Sequence, residues 1–207
     1  MISIVDYGSG NIQAIQNIYK RLNIESQIVS TAEELARATR IILAGVGAFD
    51  ETMKLLDKSG MREVLDKLVL NDKIPVLGVC VGMQIMATSS DEGELSGLNW
   101  FDANVKKLDE SLIPHKPKVP HMGWNTAIPT NDNEIFIGLD KEKGFYFLHS
   151  YYFECNDETD ILAKTLYGQE FASAVQKDNI YGFQFHPEKS HSNGINVFRN
   201  FAELSQC

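Results

Sequence analysis

The chain has 207 residues, of which 43% are hydrophobic and 23% charged. This composition is typical of a folded globular protein and excludes a disordered or fibrous one. A formal net charge of −9 disfavours nucleic-acid partners, which select for clustered Lys and Arg. No apolar run approaches the roughly 18 residues of a membrane span, and no secretory leader pattern is recognised. We therefore expect one domain over residues 1–207, located in the cytoplasm, with no membrane partner.

Short apolar runs alternate with helical patterns through the first half of the chain. Strands are predicted at Ile2–Val5, Ser26–Val29, Ile41–Leu43 and Val76–Val79. The first strand is followed by a helix whose apolar positions are Ile12, Ile15, Ile18 and Leu22. A capping box over Ser30–Glu33 predicts a further short helix. Such alternation indicates a parallel sheet covered by helices.

The turn Gly8–Asn11 joins the first strand to the first helix. Its backbone amides and polar side chains could face a ligand or a partner, and a simple tight turn explains it equally well. After about Asn99 the pattern changes to shorter strands, at Phe145–Leu148, Phe171–Val175 and Ile180–Phe185, with a closing helix from Asn193. The predicted fold is therefore α/β, with a mainly parallel central sheet flanked by helices and antiparallel strands in the C-terminal half.

A lone cysteine follows the fourth predicted strand within the sequence Gly78-Val79-Cys80-Val81-Gly82. This spacing is typical of a nucleophile elbow, in which flanking glycines avoid collisions in a strained turn from strand to helix. A helix starting over Met83–Thr88 would place the thiol at its positive end. A small buried cysteine is the structural alternative. Cys155 and Cys207 are widely spaced, suit neither a disulfide framework nor a metal motif, and are predicted to be bystanders.

The partner of a catalytic cysteine is usually a histidine that a carboxylate orients. Of the five histidines, His186 lies in Phe185-His186-Pro187-Glu188, where the proline favours an extended backbone. Residues i and i+2 of an extended chain point to the same side, so Glu188 can lie beside His186. A surface His–Glu pair is the structural alternative. His121 and His149 are predicted to be buried structural histidines.

The two motifs together resemble one enzyme family. Gly78–Gln84 followed far downstream by Gln184–Ser190 resembles the class I (triad) glutamine amidotransferases, and more narrowly the glutaminase subunits of imidazole glycerol phosphate synthase. The resemblance covers almost the whole chain, through further blocks at Asp6–Asn11, Gly45–Phe49, Ser90–Gly93, Val119–Asn125 and Tyr146–Tyr151. It implies a flavodoxin-like class I glutamine amidotransferase fold and neither a cofactor nor a metal.

The resemblance also implies a role for each candidate residue. Cys80 would attack the side-chain amide of L-glutamine, with His186 as base and acid and Glu188 orienting it. The oxyanion would be held by the backbone of Val81 and of Val46 or Gly47. By the same similarity, the glutamine head group would be held by Gln84, Glu92, Ser150 and Tyr151.

The family passes its ammonia to a second protein. The implied partner is a (β/α)8-barrel synthase subunit, a cyclase, in a heterodimer. The matching interface positions are Asn11, Trp124 and Lys189. On the residues alone, Trp124 would be a core or edge aromatic and Lys189 a solvated lysine.

Some positions depart from the family pattern. Ala44 stands where a proline is usual, and Asn99–Asp102 replaces a smaller segment that bears glycine. Such variants are similar to paralogues that supply ammonia to a sugar amidotransferase of surface-polysaccharide biosynthesis, which is the alternative partner. The alternatives of a different class are a non-catalytic scaffold and a metal-binding subunit built on Cys80, His186 and Glu188.

Overall fold

A computed structural model describes residues 1–204 of the chain. Its strands are β1 (Ile2–Val5), β2 (Ser26–Val29), β3 (Ile41–Gly45), β4 (Val76–Cys80), β5 (Ser89–Ser90), β6 (Ala103–Lys107), β7 (His121–Asn125), β8 (Ile128–Pro129), β9 (Phe145–His149), β10 (Tyr151–Cys155), β11 (Ile161–Tyr167), β12 (Gln169–Lys177) and β13 (Ile180–Phe183). Its α-helices are α1 (Ile12–Arg21), α2 (Ala32–Leu35), α3 (Phe49–Ser59), α4 (Arg62–Asp66), α5 (Val81–Gln84) and α6 (His191–Glu203).

The central sheet changes from parallel to antiparallel partway across. Within the described residues its order is β2-β1-β3-β4-β13-β12-β10-β6-β5, with β11 on β12 and β8 on β11. The strands β2, β1, β3, β4 and β13 pair in parallel, whereas β13 pairs with β12 in antiparallel fashion. This arrangement confirms the predicted α/β fold with a mixed sheet.

A separate pair of strands stands apart from this sheet. β7 and β9 are antiparallel, and His121 lies directly opposite His149 in their register. Both are therefore placed at one end of the same small sheet, where β9 leads into β10 through Ser150. The sequence predicted β9 but not that its partner is β7.

Helices α1 and α6 pack against each other beside the sheet. Of the apolar positions that the helical spacing predicted, Ile15 and Ile18 are buried, and Ile12 and Leu22 are partly buried. Tyr19 is buried as well. The ring of Tyr19 lies 5.6 Å from that of Phe198 on α6, and its hydroxyl donates to the Phe198 carbonyl oxygen at 3.2 Å. Burial of such aromatic side chains is the main source of stability at this helix contact.

The predicted capping box is wrong by one residue. The N-cap of α2 is Thr31, whose hydroxyl accepts from the backbone N–H of Glu34 at 3.2 Å. The Glu34 carboxylate in turn accepts from the backbone N–H of Ser30 at 2.9 Å. Ser30 and Thr31 have the same capping chemistry, so the sequence pattern alone does not decide between them.

No α-helix within residues 1–204 is long and apolar enough to cross a lipid bilayer.

Candidate active site

Cys80 ends β4 in a strained backbone conformation. Its φ is 55° and its ψ is −114°, a region that residues with a side chain rarely adopt. A Cβ on Gly78 would lie 2.6 Å from Cε of Met86, and one on Gly82 would overlap the carbonyl oxygen of Leu43. Both glycines are therefore required by close packing around the turn, as expected of an elbow that presents a nucleophile.

The helix that follows Cys80 is shorter than predicted. α5 has 4 residues, Val81–Gln84, and the segment Met83–Thr88 does not form a helix of its own. After Ile85 the chain turns towards β5 because Leu98, Asn99 and Trp100 hydrogen-bond to the carbonyls of residues 85–87. Cys80 is the N-cap residue of this single turn, which has a smaller dipole than the longer helix that the sequence predicted.

His186 lies between Cys80 and Glu188. Its Nδ1 is 2.9 Å from Oε1 of Glu188, and the two side chains are 3% and 2% exposed. The expected geometry is wrong in one respect: Glu188 belongs to a 3₁₀ turn, Pro187–Lys189, and not to an extended chain. The turn still brings the carboxylate to the imidazole. Burial lowers the pKa of His186, but its contacts with Cys80 and Glu188 outweigh burial and raise the pKa to about 10.

The raised pKa means that the His186 imidazole holds its proton more tightly than a free imidazole does. This direction of the pKa shift favours the imidazolium form of His186, which the Glu188 carboxylate and the Cys80 sulfur contact. An imidazolium beside Cys80 is the arrangement reached when the thiol has given up its proton to the base. The carboxylate stabilises that cation and fixes the hydrogen on Nδ1, which leaves Nε2 for the proton transfer.

One cavity of about 270 Å³ collects most of the predicted site residues. Its lining includes two predicted triad members, Cys80 and His186, and the other predicted positions Val46, Gly47, Val81, Gln84, Glu92, Ser150, Tyr151 and Lys189. Such a volume suits a small polar molecule. A larger open groove of about 970 Å³, lined by residues from Thr126 to Phe145 and by Asn193, contains none of the triad residues.

The backbone of Val46 is already engaged within this cavity. Its N–H donates to Oγ of Ser9 at 2.9 Å, and the Ser9 hydroxyl donates to its carbonyl oxygen at 3.0 Å. Val46 N–H is therefore occupied, while Gly47 adopts a φ of 100°. The turn Gly8–Asn11 thus holds the loop after β3, a contact that the sequence analysis left open. Ala44, at the end of β3, is held by its carbonyl, which accepts from the hydroxyl of Tyr7 at 2.6 Å.

The predicted substrate residues already have partners. Nε2 of Gln84 donates to the carbonyl oxygen of Tyr151 and to Oε1 of Gln184, each at 3.0 Å. Oε2 of Glu92 accepts from the N–H of Phe49, at the start of α3, at 2.8 Å. Gln184, which the sequence analysis missed, is fully buried and its Nε2 lies 3.9 Å from Sγ of Cys80. Its place two residues before His186 in an extended segment was the available signal.

Two of the three predicted interface residues, Trp124 and Lys189, share a neighbour in Tyr146, and the third, Asn11, begins α1. Trp124 is 50% exposed and stacks on His191, with ring centroids 5.1 Å apart. Nζ of Lys189 lies 5.6 Å from the ring centroid of Tyr146, which also contacts Trp124. Asn11 is exposed and begins α1, a helix that packs against the Pro187–Lys189 turn.

The remaining cysteines are Cys155 and Cys207. Burial, aided by Asp160 and Asp157, raises the pKa of Cys155 to about 12, so it stays a thiol. Cys207 lies outside the described residues. Within residues 1–204 no group of three or more His, Cys, Asp or Glu side chains is arranged to hold a metal ion.

The segment Asn99–Asp102 is a packing feature: Trp100 and Phe101 are buried, and the Trp100 indole donates to Asp66 at 2.8 Å.

His121 and His149 are buried and joined to each other, with Nδ1 of His121 2.9 Å from Nε2 of His149. Burial, with a smaller effect of His115, lowers the pKa of His121 to about 4. Burial and the charges of His121 and His186 lower the pKa of His149 to about 3, against an opposing effect of the Tyr151 carbonyl. Both rings are therefore neutral at physiological pH.

These lowered pKa values predict acid sensitivity. An unfolded histidine has a pKa of about 6.5, so the unfolded chain binds more protons below that pH. The stabilisation is complete above pH 6.5 and is lost as pH falls towards 4, by up to roughly 1.4 kcal/mol per pH unit for each histidine. His121→Phe should make this decline shallower in urea unfolding curves at several pH values. Phe198→Leu, the control at the α1–α6 contact, should lower stability without changing the slope. Equal slopes in His121→Phe and the unaltered protein would contradict the prediction.

Comparison with known proteins agrees with this geometry. Residues 3–204 match the family model described as glutamine amidotransferase class-I. The chain is 52% identical over 204 residues to the imidazole glycerol phosphate synthase subunit HisH of Leptospira interrogans, covering 99% of this chain and 100% of that protein. It is 53% identical over 206 residues to the protein of the same name from Bdellovibrio bacteriovorus, with 99% and 100% coverage.

A solved structure agrees at the level of the fold. The crystal structure of a glutamine amidotransferase superimposes with a TM-score of 0.72 at 20% sequence identity, over 99% of this chain and 100% of that one. The family model and the two full-length relatives carry the assignment. The chain belongs to the class I glutamine amidotransferases.

Proposed function

We propose that this protein is the glutaminase subunit of an imidazole glycerol phosphate synthase. It hydrolyses L-glutamine to glutamate and ammonia and passes the ammonia to a (β/α)8-barrel cyclase subunit in histidine biosynthesis. The observation that carries the proposal is the buried contact of His186 with Glu188 and Cys80, at the wall of a 270 Å³ cavity. The whole chain acts as one cytoplasmic glutaminase domain and pairs with the cyclase as a heterodimer.

The reaction proceeds through a covalent thioester. The sulfur of Cys80 attacks the side-chain amide carbon of glutamine, and the carbonyl electron pair moves onto the oxygen. His186 gives its proton to the amide nitrogen as the carbon–nitrogen bond breaks, which releases ammonia. The neutral imidazole then takes a proton from water, whose oxygen attacks the thioester carbon. Collapse of this second intermediate expels the Cys80 thiolate beside the imidazolium, and the product leaves as glutamate after losing its acid proton to solvent.

The oxyanion of each tetrahedral intermediate needs backbone donors. Val81 N–H, directly after the nucleophile, is one candidate, and the Val46–Gly47 loop supplies the other. Such donors can contribute about 3 kcal/mol each in a site without water. Because Val46 N–H donates to Ser9, this donor becomes available only when that hydrogen bond breaks. Ser9 therefore restrains the loop in the isolated subunit.

Coupling to the partner is the experiment that tests the function. Glutamate release should be slow for the isolated subunit and should rise at least tenfold with the barrel-type cyclase of the same genome, further when the cyclase holds its own substrate. Stimulation by a sugar amidotransferase instead would assign the protein to the polysaccharide paralogues, with the same chemistry. An isolated subunit as fast as every complex would overturn the coupled transfer of ammonia, and absence of glutamate release in every mixture would overturn the glutaminase assignment.

The roles within the triad predict unequal losses. Glu188→Gln keeps the imidazole but weakens its orientation and the stabilisation of its cation, so kcat should fall by about 10²–10⁴-fold. His186→Ala removes the proton carrier and should cost at least tenfold more. Both variants are measured in the complex, with circular dichroism to check folding. Equal losses in two folded variants would contradict the assignment of Glu188 as the orienting residue.

The restraint on Val46 predicts a variant with raised basal activity. Ser9→Ala removes both hydrogen bonds to Val46, worth about 1 kcal/mol each, and frees its N–H. Glutamine turnover by the isolated subunit should rise several-fold, and stimulation by the partner should shrink accordingly. Ser111→Ala is the matched control, since Ser111 is exposed and its side chain bonds to Asp109, away from the cavity. Unchanged basal turnover in Ser9→Ala would show that Ser9 does not hold the loop back.

A further inference from the structure

A directed series of hydrogen bonds runs from β7 to the wall of the candidate active site. Its members are Asn125, His121, His149 and the carbonyl oxygen of Tyr151, here called the histidine relay. Nδ2 of Asn125 lies 3.2 Å from Nε2 of His121. Nδ1 of His121 lies 2.9 Å from Nε2 of His149, and Nδ1 of His149 lies 2.7 Å from the Tyr151 oxygen.

The chemistry of the end groups fixes the direction of every bond. A carbonyl oxygen only accepts, so the hydrogen of neutral His149 is on Nδ1 and its Nε2 accepts. His121 must therefore carry its hydrogen on Nδ1 as well, and its own Nε2 accepts from Asn125. The Asn125 amide is oriented independently, because its Nδ2 also donates to the Leu166 carbonyl at 3.0 Å and its Oδ1 accepts from Thr126 N–H at 2.8 Å. Each donor in the relay thus meets an acceptor.

The rings of the relay are held by aromatic packing. His121 is 3% exposed and lies between Phe147 and Tyr167, with ring centroids at 4.7 and 4.0 Å and interplanar angles of 20° and 23°. His149 is 6% exposed and packs against Phe171, with ring centroids 5.1 Å apart. The titratable groups that face the pair are His115 and Tyr167, near His121, and His186, near His149. The relay is therefore built as rigidly as the core around it.

The relay ends at a junction with the catalytic groups. The Tyr151 carbonyl also accepts from Nε2 of Gln84, which lies in the helix that follows Cys80. Gln84 in turn contacts Gln184, whose amide approaches the Cys80 sulfur. His149, Ser150 and Tyr151 all line the 270 Å³ cavity. One carbonyl oxygen thus joins the β9–β10 segment of the cavity wall to the α5 segment.

We propose that His149 and, through it, His121 are positioning residues that hold the Tyr151 carbonyl and thereby set the cavity wall that binds the glutamine head group. The inference rests on the proposed glutaminase function for its ligand. Neither histidine touches the reacting atoms, so both act on substrate binding more than on bond breaking. A role in packing alone would need the rings but not their nitrogens, and this difference can be tested.

Kinetics separate the hydrogen bonds from the packing. His149→Phe keeps a ring but removes the donor to Tyr151, so KM for glutamine should rise about tenfold with kcat within twofold. His121→Phe should raise KM about threefold, and the double variant should match His149→Phe, because His121 acts through His149. His149→Gln, which retains a donor and an acceptor, should restore most of the affinity. Phe198→Leu, at the α1–α6 contact with Tyr19, is the packing control and should leave KM unchanged.

A spectroscopic test does not depend on activity. With ¹⁵N-labelled histidine, long-range ¹⁵N–¹H correlation spectra at pH 7 should show both His121 and His149 as Nδ1–H tautomers. An Nε2–H form of either residue, an unchanged KM in folded His149→Phe, or additive effects in the double variant would each overturn the relay. If His149→Phe does not fold, His121→Phe against Phe198→Leu decides the kinetic part. Loss of glutamate release in the unaltered protein with every partner would instead reject the proposed function, while the tautomers still test the relay.

Discussion

The close approach of the turn after β4 to strand β3 is the constraint on which the candidate site depends. Cys80 pairs with Gly45 in the parallel register, and Gly82 packs directly against the backbone of Leu43. This contact adjoins Cys80, whose backbone has a positive φ of 55°. It also brings the loop that begins at Gly45 beside the nucleophile. β13, paired on the other side of β4, continues into His186.

Local sequence patterns predicted those features of the site that depend on a few adjacent residues. The spacing of Gly78, Cys80 and Gly82 identified the elbow because steric exclusion in a tight turn is a property of a few adjacent residues. The His186–Glu188 contact was likewise predicted, although the 3₁₀ turn that forms it was not. The length of α5 was not predictable, since Leu98–Trp100, distant in sequence, cap it by hydrogen bonds to the residues at its end.

Contacts between distant segments could not be predicted from the sequence. Ser9 meets Val46 and Gln184 meets Cys80 only because of the strand order, which places β1 beside β3 and β13 beside β4. The pairing of β7 with β9 has the same origin, and it turns two histidines that looked merely structural into a connected pair. The prediction of the N-cap residue of α2 was wrong for another reason. Ser30 and Thr31 both satisfy the capping rule, so the rule alone does not select Thr31.

The position of β13 between β4 and β12 has a consequence for synthesis of the protein. His186, the proposed base, lies about a hundred residues after Cys80, and the strand that leads to it, β13, pairs with β4 across that gap. Such non-local pairing closes late, because the entropy of a long loop is lost before the contact is gained. A nascent chain that has exposed Cys80 to solvent therefore lacks the imidazole beside it. A product that ends before His186 therefore lacks the imidazole that β13 brings beside Cys80.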